Sequence, residues 1–105
     1  MSQMLSVQED TRKDTILEAL SDKYSRIILE ATMDKPKTAL EISAERHMPI
    51  STVYRRLQAL HDAKMLGISG SISDDGKKFF MYKSKVRQIS TVFNNGVVEV
   101  SVTLN

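Results

Sequence analysis

Residues 38–60, TALEISAERHMPISTVYRRLQAL, decide the fold. Thr38 followed three residues later by Glu41 has the form of a capping box. The threonine oxygen accepts from one free N–H at a helix start, and the glutamate accepts from another. The helix this opens runs from about Ala39 to Arg46 and buries Ala39, Ile42 and Ser43. Small Ala39 and polar Ser43 suit a close helix crossing. His47-Met48-Pro49-Ile50 reads as a short turn, with Ile50 as a core plug. Ser51 then caps a longer helix, about Thr52 to Lys64, whose inner face carries Val53, Leu57 and Leu60 at helical spacing.

Toward the N-terminus, Tyr24, Ile27, Ile28 and Ala31 recur at i, i+3, i+4 and i+7, which predicts a helix over about Lys23–Thr32. Ser21-Asp22 supplies its cap chemistry. It stops before Pro36, because proline disfavours helix in the residue preceding it. An earlier helix starts near Thr11, with Ile16, Leu17 and Leu20 on one stripe. Residues 1–10 are expected to form a loose polar tail.

Toward the C-terminus the period changes from helical to two. Ile68–Ser73 and Lys78–Lys83 flank Asp74-Asp75-Gly76-Lys77, and Asp-Gly predicts a hairpin turn with positive φ at both central positions. A second hairpin turns at Asn95-Gly96. If Asn94 opposes Val97, then Phe93 meets Val98, Thr91 meets Val100 and Ile89 meets Val102. The facing residues match, which supports that register.

The 105 residues make one domain's worth of chain. Hydrophobic residues at 41% and charged residues at 27% are an ordinary globular balance. No apolar run is long enough to cross a bilayer, and the first ten residues lack the pattern of a signal peptide. With no cysteine, a disulfide framework, a thiolate nucleophile and a cysteine metal site are excluded, and a cytoplasmic location is expected. His47 and His61 lie far apart and make a poor metal site, so no metal and no cofactor is expected. No phosphate loop, nucleophile elbow or helical carboxylate pair is present, and the chain does not read as an enzyme.

Net charge is +2, unevenly placed. Residues 1–34 hold four basic and seven acidic side chains, whereas residues 35–105 hold eleven and six. Lys77, Lys78, Lys83, Lys85 and Arg87 follow one another without an acid between them. Such a segment suits phosphate backbones, and equally a solvated lysine-rich strand pair.

A short helix, a tight turn and a longer helix form a helix-turn-helix unit, whose second helix can lie in a DNA major groove. A basic hairpin directly after it has the form of a wing. At ~100° per residue, with Val53, Leu57 and Leu60 inward, Arg55 points outward in line with Ser51 and Gln58. Thr52 and Ala59 border that stripe, and Tyr54 and Arg56 sit on its two flanks. Small residues let the helix end approach base edges, where Arg can bond guanine and Gln can bond adenine. Bland readings of the same pattern are a helical bundle with a solvated face, or a winged helix that binds proteins.

The stretch from Leu17 to Leu29 resembles the opening of ArsR-like winged-helix regulators. Residues 38–43 and 50–60 are similar to their helix-turn-helix, especially in small archaeal members, and the resemblance covers about Thr15 to Ser84. It implies sequence-specific binding of double-stranded DNA, transcriptional control and a homodimer. By match, Ser51, Thr52, Tyr54, Arg55 and Arg56 would be contacting positions. The chain departs from the family in having no cysteine motif, in carrying Lys64 where a glycine commonly closes the recognition helix, and in ending in a hairpin rather than a helix.

The resulting expectation is an α+β fold, a winged helix-turn-helix with an added C-terminal β-hairpin. Residues 1–10 are the tail, 11–85 the DNA-binding domain, and 86–105 a hairpin suited to dimerisation. The recognition helix spans about 51–64 and the wing about 68–83. Contacts to DNA are expected from Ser51, Thr52, Tyr54, Arg55, Arg56, Gln58, Lys77 and Lys78. The alternative is a winged-helix protein-interaction module without DNA binding.

Overall fold

A computed structural model describes residues 3–105. The elements run β1 (Met4–Val7), α1 (Asp10–Ser21), α2 (Lys23–Ala31), α3 (Ala39–Arg46), α4 (Ile50–Asp62), β2 (Leu66–Ile72), β3 (Lys78–Ser84), β4 (Val86–Asn94) and β5 (Val97–Leu104). This is the α+β, winged helix-turn-helix arrangement with an extra C-terminal hairpin. Its core is one cluster in which Ile16 of α1, Ile28 of α2, Ile42 of α3 and Val53, Leu57 and Leu60 of α4 meet Met65, Leu66, Val100 and Val102.

The capping box is made on both sides: Glu41 N–H donates to Thr38 Oγ1 at 3.1 Å, and Thr38 N–H donates to Glu41 Oε1 at 2.9 Å. The turn after α3 departs from the sequence expectation. His47 takes a left-handed conformation (φ 55), Met48 is the buried plug, and Ile50 is 37% exposed. The Ser43 hydroxyl donates to Met48 O at 2.6 Å and holds the turn closed. Proline at position 49 stands at the N-cap of α4, with no side-chain cap bond. Ser51 therefore lies in the first turn of the helix instead of capping it.

The end of α4 accounts for the missing glycine. Lys64 N–H donates to His61 O at 2.9 Å and Met65 N–H to Leu60 O at 2.9 Å. With Lys64 left-handed (φ 61), this is a Schellman motif, and buried Leu60 and Met65 supply its apolar contact. A lysine there carries the Cβ penalty that glycine avoids. Lys64→Gly is expected to raise unfolding stability by about 1 kcal/mol, read as a higher denaturant midpoint at unchanged slope.

The wing is β2 paired with β3, Leu66 opposite Ser84 and Ile72 opposite Lys78. Its turn is looser than the sequence suggests, since Gly76 (φ 83) has positive φ and Asp75 does not. Ser73 N–H donates to Lys77 O and Gly76 N–H to Ser73 O, the pattern of a three-residue loop with its glycine in the left-handed position. Lys37 exchanges both backbone hydrogen bonds with Tyr82, tying the chain before α3 to the wing.

The second hairpin has the expected register, with Phe93 opposite Val98, Thr91 opposite Val100 and Ile89 opposite Val102. Asn95 (φ 52) and Gly96 (φ 80) form its two-residue turn. At its base Val100 and Val102 are buried against the helices. At its tip Val92, Phe93 and Val97 stand 52%, 75% and 54% exposed. An irregularity at Arg87 turns that side chain toward Asn105, whose amide nitrogen donates to Met33 O and Ser84 O. This knot seats the sheet on the helices.

The expected tail is ordered instead. Met4–Val7 pairs antiparallel with β5, Leu5 opposite Val102 and Val7 opposite Val100, so the C-terminal sheet has the order β1-β5-β4. Val7 covers core that the hairpin alone would leave open. Met1 and Ser2 of that expected tail lie outside the described residues.

Candidate nucleic-acid interface

Helix α4 turns its Val53-Leu57-Leu60 face into the core, which leaves Ser51, Arg55 and Gln58 on the exposed stripe. Arg55 makes no side-chain hydrogen bond or ion pair among the described residues. Gln58 donates through Nε2 to Asp62 Oδ1 at 2.9 Å, an i,i+4 pair further along the stripe. Thr52 is half-buried at its edge.

The two flanks are anchored differently. Tyr54, 53% exposed, lies beside the wing and shares a surface hollow with Leu40, Phe80 and Tyr82. Burial, followed by the neighbouring Tyr54, pushes the Tyr82 hydroxyl above the usual phenol range. On the opposite flank Arg56 is not extended to the rim. Its Nε donates to Asp22 Oδ2 at 2.7 Å and its Nη2 to Asp22 Oδ1 at 3.2 Å. Its guanidinium also lies 5.9 Å from the centre of the Tyr24 ring, within cation–π range.

Asp22 serves two helices at once. As N-cap of α2 it accepts from Ser25 N–H and from the Ser25 hydroxyl, both at 2.8 Å. It also holds α4 through Arg56, and the Arg56 hydrogen bonds keep its carboxyl below the ordinary aspartate value. Sequence reading identified Asp22 as a local cap and missed this second role. An acid at a helix junction with an arginine on the flank of another helix is a signal only once the two helices are known to touch.

The basic run between Lys77 and Arg87 is dispersed. Lys77 and Lys78 sit at the wing tip. Lys83 faces Gly67 at the wing's base, and Arg87 is drawn to Asn105 and, at 3.5 Å, to Asp34. Lys77 is mostly exposed, 4.0 Å from Asp75. The Asp75 carboxyl is lowered chiefly by the Ser73 hydroxyl and then by Lys77 N–H, so it is committed to the turn. The Lys78 ammonium lies 5.3 Å from the Phe80 ring centre, its side chain passing over Gly70, the residue paired with Phe80. The wing tip thus carries two cations, of which Lys78, against the Phe80 ring, borders the hollow that Tyr54 of α4 lines.

Among the described residues no three His, Asp or Glu side chains come together as a metal site, and no helix is long and apolar enough to cross a membrane. No protein-family model and no curated protein matches the chain. A solved structure described as a possible transcriptional regulator from Methanosarcina mazei Go1 is similar in fold, with a TM-score of 0.56 at 22% sequence identity. The likeness covers 76% of this chain and 73% of that one.

Proposed function

We propose that this protein is a transcriptional regulator that binds double-stranded DNA sequence-specifically, with α4 in the major groove and the wing on the adjacent backbone. The observation that carries the reading is the stripe of Ser51, Arg55 and Gln58, with Arg55 unpaired among the described residues and the Lys77-Lys78 wing adjoining α4 through the hollow that Tyr54, Lys78 and Phe80 line. Ser51 and Thr52 are small enough for close approach, and Arg55 and Gln58 supply base-edge donors. Tyr54 borders the groove on the wing side, and Lys77 and Lys78 neutralise phosphates. The ArsR-like motif in α3 and α4 and the fold likeness to a possible regulator support the same reading.

The active form is a homodimer. A single recognition helix reads a short site, and two copies related by a two-fold axis read two half-sites about 10 base pairs apart. At the tip of the C-terminal hairpin exposed Phe93 extends the face that carries Val98, Val100 and Val102, and it is the apolar group such a dimer would cover; exposed Val92 and Val97 stand on the opposite face.

Binding of the full chain to duplex DNA over a salt series tests the reading, which expects a steep loss of affinity with added salt. Lys77→Ala with Lys78→Ala should weaken all duplexes similarly and flatten the log–log salt slope by up to ~2 per subunit. Unchanged binding would remove the wing from the interface. Exposed Leu40, Tyr54, Ile68, Ile72 and Phe80 around the wing favour the second reading, a protein-binding winged helix. No duplex binding at low salt would select it.

A further inference from the structure

We infer that the Asp22–Arg56 pair is a specificity brace: Asp22 withholds Arg56 from the DNA backbone and fixes the rotation of α4, so that discrimination falls to the Ser51-Arg55-Gln58 stripe. The inference rests on the DNA-binding reading above.

Three observations combine. First, Arg56 stands on the flank of α4 where an extended arginine would reach a phosphate at the groove rim, yet both ends of its guanidinium fork are directed at one carboxylate, at 2.7 and 3.2 Å. Second, the carboxylate is itself immobilised, because Asp22 accepts from Ser25 N–H and Oγ. The pair therefore ties α4 to the first turn of α2 at a defined angle. Third, the opposite flank of α4 rests beside the wing through Tyr54 and Tyr82. A helix held on both flanks presents one stripe outward.

The bond is placed where it can be changed without unfolding the protein. Both side chains are about 30% exposed and border a hollow of about 370 Å³ between α1, α2 and α4. The pair is part-exposed and, among the described residues, joins no buried network beyond the cap, so a variant that keeps the cap is expected to stay folded. Its effect on DNA binding is larger. A released Arg56 adds one phosphate contact per subunit, which strengthens binding to every sequence and tells none apart.

Asp22→Asn is the decisive variant, since asparagine caps a helix as well as aspartate and keeps the Ser25 bond while removing the charge that holds Arg56. Binding of the full-length protein to a selected duplex and a scrambled duplex, over a salt series, is the readout. Asp22→Asn should bind the scrambled duplex more tightly at low salt, steepen the salt slope by about 0.9 per subunit, and lower the ratio of selected to scrambled affinity. Asp22→Asn with Arg56→Ala should return the slope to that of the parent. Arg56→Ala alone should leave the slope unchanged and weaken the selected duplex more than the scrambled one.

A slope unchanged in Asp22→Asn overturns the inference. So does steepening that survives in the double variant, which would trace to the lost aspartate charge alone. Flattening in Arg56→Ala alone also overturns it, since Arg56 would then be a phosphate contact in the parent. In each of these cases salt-dependent binding by the parent leaves the regulator reading standing. A parent that binds no duplex overturns both.

Discussion

Arg55→Ala should cost about 1–3 kcal/mol on the preferred duplex and relax preference at one base position, while binding to a scrambled duplex changes far less. The side chain lies opposite the buried Val53-Leu57-Leu60 face and is engaged with no other described residue, so its removal opens no cavity and breaks no internal bond. The thermal midpoint should therefore stay within a degree or two of the parent, on the small effects ordinary surface changes have. Competition of both duplexes against the same labelled probe at matched salt measures the difference. Equal losses on both would mean that α4 is rotated away from the bases or reads no sequence.

In the proposed homodimer, Phe93→Glu should give a monomer and reduce affinity for a two-half-site duplex by about 10²–10⁴-fold, the size of the avidity lost when two linked contacts become one. Affinity for a duplex carrying one half-site should be unaffected. Phe93 pairs with Val98 on the same face as the buried Val100 and Val102 but nearer the tip, where it is 75% exposed, so a charge there stays in solvent and leaves the core intact. Sedimentation at micromolar concentration reads the assembly directly. A parent protein that is monomeric with and without DNA would contradict the dimer, and a dimeric Phe93→Glu would move its interface elsewhere.

What the sequence made legible follows the range of the interactions involved. The capping box of Thr38 and Glu41, the inner face of α4 and the register around Asn95-Gly96 are set by residues within a turn or a hairpin of one another. Periodicity and turn chemistry report such contacts directly. The strand Met4–Val7 was not legible, because it is four residues long and its partner β5 begins at Val97. Nothing local distinguishes it from a tail. Met48 and Ile50 exchanged roles because the left-handed His47 redirects the chain after α3, and a backbone conformation of that kind in a non-glycine residue carries little sequence signal. Lys64 is the same case at the end of α4.

The candidate interface was legible in direction and not in engagement. A helical wheel places Arg55 and Arg56 on the outward side and separates them by about 100°. It cannot show that Arg56 meets Asp22, 34 residues earlier in the chain. The i,i+4 pair of Gln58 and Asp62 is within reach of such a wheel, whereas the lack of a partner for Arg55 among the described residues is not. Charge counting had a similar limit. The run from Lys77 to Arg87 looks continuous in one dimension, and the hairpin carries Lys77 and Lys78 to the tip while Lys83 and Arg87 stay at the base.

Selection of bound sequences from a pool of random duplex DNA tests the central claim most directly. The account predicts enrichment of one motif with two-fold related halves about 10 base pairs apart, centre to centre, each containing a position whose preference is relaxed in Arg55→Ala. A pool recovered at low salt with no sequence enriched over the input, or no recovery at all, would contradict sequence-specific recognition by α4.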